Sequence, residues 1–184
     1  TGPSKSPILL AMIKNNNGRD VALDKLILHL LDYTTVTKSA DAMAALKNIL
    51  VAMPDTSEYL TLVQRYHVTA ENPKLLKLAL AKTSKGISGD AASLLLEQKG
   101  NTLAWNAIND KDTSTTIKML SALAGVGSSE SLGILQTVAL SPKYQITLRK
   151  YAAAQIGRSG GGEKKVLELL KTKKIPQELI PDLV

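Results

Sequence analysis

His29 and His67, the two histidines of this chain, lie inside helical patterns 38 residues apart. His29 has Asp32 three residues on. A transition-metal site needs at least three converging ligands, and neither histidine sits in such a set along the chain. Both therefore read as structural or surface histidines. Ser and His are scattered without a nucleophile elbow, so no serine-hydrolase arrangement is expected. The run "GRSGGGEKK" (Gly157 to Lys165) superficially resembles a phosphate loop. It lacks the spacing of one and no strand precedes it, so it reads as a turn between helices.

Bases at a regular interval are more informative. Lys14, Lys47, Lys77, Lys118 and Arg149 each follow an apolar residue (Ile13, Leu46, Leu76, Ile117, Leu148), at steps of 33, 30, 41 and 31 residues. Two readings stay open for this ladder. Each base bonds the adjacent turn or a helix C-terminus, or together they face an anionic partner. The one tryptophan, Trp105, lies in "GNTLAWNAINDKD" (Gly100 to Asp112), where it either plugs the local core or anchors a partner.

Composition bounds the alternatives. The 184 residues are 44% hydrophobic but only 3% aromatic, with no Phe, so Leu and Ala carry the core. That favours thin helix-on-helix packing. The net charge of +7 tolerates nucleic acid or acidic proteins as partners without specifying either. With no cysteine, disulfides, thiolate metal sites and cysteine nucleophiles are excluded. The same absence fits a periplasmic or secreted address. No apolar run approaches the length of a membrane span.

The elements that must position these residues are helices. Apolar residues recur at helical spacing in blocks of ten to sixteen, and no segment alternates with period two for long. Ser39, Thr56, Asn72 and Ser128 are expected N-caps, and Pro7 and Pro73 suit a first turn. The breaks include "YTTVTKSAD" and "GVGSS". Taking the helix after each long loop as A and its successor as B gives two series. The A helices centre near Leu28, Leu62, Leu95, Leu135 and Leu167, at steps of 34, 33, 40 and 32. The B helices centre near Met12, Leu46, Leu78, Met119 and Tyr151, at steps of 34, 32, 41 and 32. Both series place one irregular step between Leu95 and Met119, so residues 100–112 read as an insertion able to form a short extra helix. A period in the low thirties with two helices per unit predicts an all-α, right-handed superhelix of about five helix pairs, one domain over residues 1–184.

The stretch "LRKYAAAQIG" resembles the B helix of a HEAT repeat. Leu148, Arg149, Ala152, Ala153, Ile156 and Gly157 fall on that pattern, and Ile117, Lys118, Ala122 and Gly125 or Gly127 match it more loosely. The match at motif level covers residues 117–170. The alanine run implies close helix packing, and Gly157 is expected to end its helix in the left-handed conformation. The resemblance implies a HEAT-like, armadillo-like α-solenoid whose B helices line a concave surface, with the base ladder at or near the groove. It implies no catalysis and no cofactor, but a monomeric interaction or spacer scaffold for a protein or peptide partner, or for neighbouring domains of a longer chain. Because the array opens on a lone B helix (Pro7 to Lys14), the natural protein is expected to extend upstream, or that helix to act as a cap. The alternative is a nucleic-acid-binding HEAT-like protein, similar to a DNA repair glycosylase, with a basic groove. Under either reading the candidate binding residues are Lys47, Lys77, Lys118, Arg149 and Trp105. The tail "PQELIPDLV" is expected to cover the last apolar face or to lead into a further domain.

Overall fold

The structure, a computed structural model, describes residues 5–81, 85–172 and 174–183. Every regular element among them is helical. In chain order these are α1 (Lys5–Asn16), α2 (Val21–Leu30), α3 (Tyr33–Lys38), α4 (Ala40–Ala52), α5 (Ser57–Arg65), a 3-10 turn (Thr69–Glu71) and α6 (Asn72–Leu80). There follow α7 (Lys85–Glu97), α8 (Asn101–Ile108), α9 (Thr113–Val126), α10 (Ser129–Leu140), α11 (Ile146–Arg158), α12 (Gly162–Lys171) and a 3-10 helix (Gln177–Leu183). All ten expected centres fall inside helices: α2, α5, α7, α10 and α12 carry the A series, and α1, α4, α6, α9 and α11 the B series. Helix α8 occupies the insertion. Helix α3 lies in "YTTVTKSAD", which reads as a break. There Asp32 caps the turn by accepting from Thr35 N at 2.9 Å, while Val36 is buried at 0% exposure, so one anchored side chain outweighs three threonines of low helix propensity.

The chain divides into two compact units, Thr1–Thr69 and Ala70–Val184. In the first, α4 is the centre, packed by α1, α2, α3 and α5. Ala42, Ala45, Leu46, Ile49 and Leu50 form its buried stripe, at the i, i+3, i+4, i+7 spacing of an amphipathic helix. Carbonyls at the end of α2 are met from α5 and the residue after it. Tyr66 OH donates to Leu28 O at 2.6 Å, and Arg65 Nη2 donates to His29 O at 3.1 Å and Leu31 O at 3.0 Å.

In the second unit α6 packs on α7 and α9, α7 on α9, α9 on α10 and α11, and α11 on α10, α12 and the C-terminal 3-10 helix. The successive B helices of this unit are therefore direct neighbours. Leu95, Leu120, Leu135 and Ile156 are fully buried among them. Ala152 and Ala153 are buried at 0% exposure, as the alanine run requires, and α11 meets its neighbours there without side-chain bulk. Leu179 and Leu183 of the 3-10 helix are buried too, so the tail segment packs against α11.

Helix ends follow the capping residues with two corrections. Ser39 accepts from Ala42 N and Ser128 from Ser131 N, each at 3.2 Å. Thr56 stands at the N-cap of α5 but makes no side-chain capping bond. Asn72 is the first residue of α6 rather than its cap; its side chain instead donates to Gln98 O at 3.3 Å, and Glu71 precedes the helix in a helical conformation. Gly157 does not end α11 either. The helix runs on to Arg158, and Gly157 is needed for space: a Cβ there would collide with the Leu183 carbonyl. The left-handed cap is Gly127, at φ 64°, after α9.

Two predictions follow from this packing. Ala153→Leu should overfill the α11 interface and cost about 1–3 kcal/mol in urea unfolding; an unchanged midpoint would place Ala153 on a solvent face. The second concerns Asp112, the cap of α9. Backbone donation by Ser114 first, then hydrogen bonds from Thr115 and the charge of Lys118, hold its carboxyl below the ordinary aspartate range. A carboxyl lowered on folding stabilises above its unfolded pKa, and that stabilisation fades as pH falls through the folded value. The melting temperature of Asp112→Ala should lie below wild type at pH 7, and the gap should close on acidification below the aspartate range. A gap of constant size down to that pH would show that the charge does not act at this cap.

Candidate functional site

The base ladder separates into two kinds of residue. Arg149 is largely buried, its side chain 13% exposed, and it is held at two points: Nε donates to Ala139 O at 3.1 Å and Nη1 pairs with Glu178 Oε1 at 3.1 Å. It thereby ties α11 to the last turn of α10 and to the C-terminal 3-10 helix. This is a cation on a helix C-terminus, the same device that Arg65 supplies to α2 in the first unit. Lys14, Lys47 and Lys77 are exposed and Lys118 is half-buried. None of the four makes a hydrogen bond or ion pair among the described residues, though the charge of Lys118 acts on Asp112.

Trp105 is half-buried on α8, whose core-facing residues are Ala104, Ala107 and Ile108. Both histidines are exposed; His67 sets its ring edge against Tyr33 with centroids 5.3 Å apart. Among the described residues no three His, Asp or Glu side chains come together as a metal site would need.

The structure brings together a group of polar side chains that the spacing of bases does not point to. In the second unit α7 and α9 approach so closely that a Cβ on Gly89 would lie 3.4 Å from the Gly125 carbonyl carbon. Beside this crossing a cavity of about 400 Å³ opens between α7, α9 and α11. Ser121, Ala124 and Gly125 line it from α9, and Ser88 from α7. Helix α11 contributes Tyr151, Gln155 and Arg158, spaced i, i+4, i+7 and so on one face.

The hydrogen-bonding state of these groups is uneven. Ser88 Oγ donates to Ala79 O at 2.9 Å and is committed to the fold. The side chains of Ser121, Tyr151, Gln155 and Arg158 have no partner among the described residues. Gln155 is 6% exposed and lines the cavity, and its amide atoms, not being among the buried atoms left without a partner, open on it. Arg158 stands exposed at the rim. No carboxylate is among the described lining residues, so the wall offers donors and one positive charge. The signal available in sequence was Tyr151, Gln155 and Arg158, three polar residues at helical spacing through the alanine run of "LRKYAAAQIGR". Its meaning depends on what α9 places opposite.

Comparison with known protein families, with curated proteins and with solved structures returns no match.

The roles within the ladder can be separated by substitution. Arg149→Met keeps the apolar stem but removes the bond to Ala139 O, and should cost about 1–3 kcal/mol in urea unfolding. Glu178→Gln should cost much less, because Glu178 is 55% exposed and its pair with Arg149 is screened. Equal effects would mean that the ion pair, and not the carbonyl of α10, is what Arg149 serves.

Proposed function

We propose that this chain is a non-enzymatic interaction scaffold, a HEAT-like array of helix pairs that holds a protein or peptide segment on its B-helix faces. The observation that carries the reading is the side-by-side packing of successive B helices in the second unit, α6 on α9 and α9 on α11, with a polar cavity opening between two of them and α7. Repeated helix pairs of this kind present extended surfaces in which neighbouring repeats supply adjacent contacts. A segment laid across α9 and α11 would meet unpaired polar groups whose bonds it can complete.

A second reading, nucleic-acid binding, draws support from Lys77 and Lys118, equivalent ladder positions on the neighbouring helices α6 and α9, which form no ion pair among the described residues. It predicts affinity that falls steeply with salt, because each neutralised phosphate releases counterion.

Panning a phage-displayed peptide library on the whole chain, alongside duplex and single-stranded DNA titrations at two salt concentrations, distinguishes the two. The scaffold reading expects recovered peptides and no strongly salt-dependent DNA affinity. Recovery of no peptide, with DNA binding abolished by Lys77→Glu and Lys118→Glu at an unchanged melting temperature, would overturn it in favour of the second.

A further inference from the structure

We propose that the cavity between α7, α9 and α11 selects a peptide carboxylate, so that the partner segment held by this scaffold is acidic at the residue that enters the cavity. The inference rests on the peptide-binding reading above and adds to it the chemistry of the occupant.

The cavity is lined by side chains whose hydrogen-bonding groups open on it rather than on other protein groups. Gln155 is 6% exposed, lines the cavity and has no side-chain partner among the described residues. Tyr151, Ser121 and Arg158 share both its cavity and its lack of partners. Four polar side chains from two helices, none bonded to another described side chain, thus converge on one space.

Their chemistry specifies the ligand. The Arg158 guanidinium only donates, the Tyr151 and Ser121 hydroxyls can donate by rotation, and the Gln155 amide carries two N–H donors. With no carboxylate among the described lining residues, these donors lack an acceptor of opposite charge. A carboxylate is acceptor-only, carries one negative charge and matches the planar fork of a single guanidinium. A phosphate monoester would bring close to two charges against the one of Arg158. Lys118 lies one turn before Ser121 on α9 but is not among the described lining residues.

Size and floor agree with this occupant. The volume of about 400 Å³ lies toward the lower end for ligand pockets, enough for a carboxylate side chain with its adjoining backbone. Ala124 and Gly125 carry no long side chain into the α9 side of the cavity, Gln155 lies at depth and Arg158 at the rim.

The test sequences the peptides recovered from the library and measures chosen ones by fluorescence anisotropy, each synthesised as the acid and as its Asn or Gln counterpart. Each is made with a free and with an amidated C-terminus, which tells a side-chain carboxylate from a terminal one. The expected result is enrichment of Asp or Glu, or strict dependence on a free C-terminus. Arg158→Gln should then weaken binding roughly tenfold or more, as loss of a charge-assisted contact does. Tyr151→Phe should weaken it less, and circular dichroism should show both variants folded. Should Arg158→Gln disturb the fold, Ser121→Asp, which places a negative charge at the cavity from an exposed position, should weaken the acid peptides and spare their amide counterparts. Peptides recovered without acidic preference, or with affinity indifferent to Arg158→Gln and Ser121→Asp, would overturn the inference while leaving the scaffold reading intact. Recovery of no peptide would overturn both, and displacement of an oligonucleotide instead would assign the cavity to phosphate.

Discussion

Gly89 of α7 and Gly125 of α9 face each other so closely that a Cβ on the first would stand 3.4 Å from the carbonyl carbon of the second. Much of the second unit depends on close approaches of this kind. Ala152 and Ala153 let α11 seat against its neighbours, and Gly157 admits the Leu183 carbonyl where any Cβ would collide. In a chain without Phe and with one Trp, helices are held by Leu and Ala rather than by thick aromatic layers. Short interhelical distances then maximise dispersion contacts between small side chains. Beside the crossing at Gly89 and Gly125 the cavity opens between α7, α9 and α11.

The second recurrent device satisfies helix C-termini by long side chains from elsewhere. Arg65 and Tyr66 meet the end of α2 in the first unit, and Arg149 meets the end of α10 in the second. Arg65 and Tyr66 reach back about 35 residues to α2, while Arg149 ties α11 to the helix just before it; each places a donor against carbonyls of a helix's last turn. This changes the meaning of the base ladder. One member, Arg149, is committed to the fold, while Lys14, Lys47 and Lys77 stand exposed and unpaired among the described residues. Regular spacing located equivalent positions, but equivalent positions carry different duties once a carbonyl lies within reach of one and not of the others.

Much of the secondary structure was legible in the chain. All ten helix centres are recovered because a 3.6-residue apolar period is a strong local signal, and α8 was legible as extra residues in both series. The misses are local as well. Helix α3 has few apolar residues to show a period, yet Asp32 and buried Val36 hold it. Asn72 resembles an N-cap by type, but its amide is drawn to Gln98 O across the unit. Gly157 resembles a C-cap by type, but its φ is not left-handed and its role is clearance.

By itself, then, the sequence determined the helical class, the position of nearly every helix and the exclusion of cysteine chemistry, since these depend on residue type and on neighbours within a few turns. Only the tertiary structure decided the division into two compact units and the commitment of Arg149 to Ala139 and Glu178. It alone joined Ser121 to Tyr151, Gln155 and Arg158 around one cavity. Those groups lie on different helices some thirty residues apart, and no local periodicity reports the angle and separation at which two helices cross. That geometry is set by which side chains are small enough to let the backbones meet.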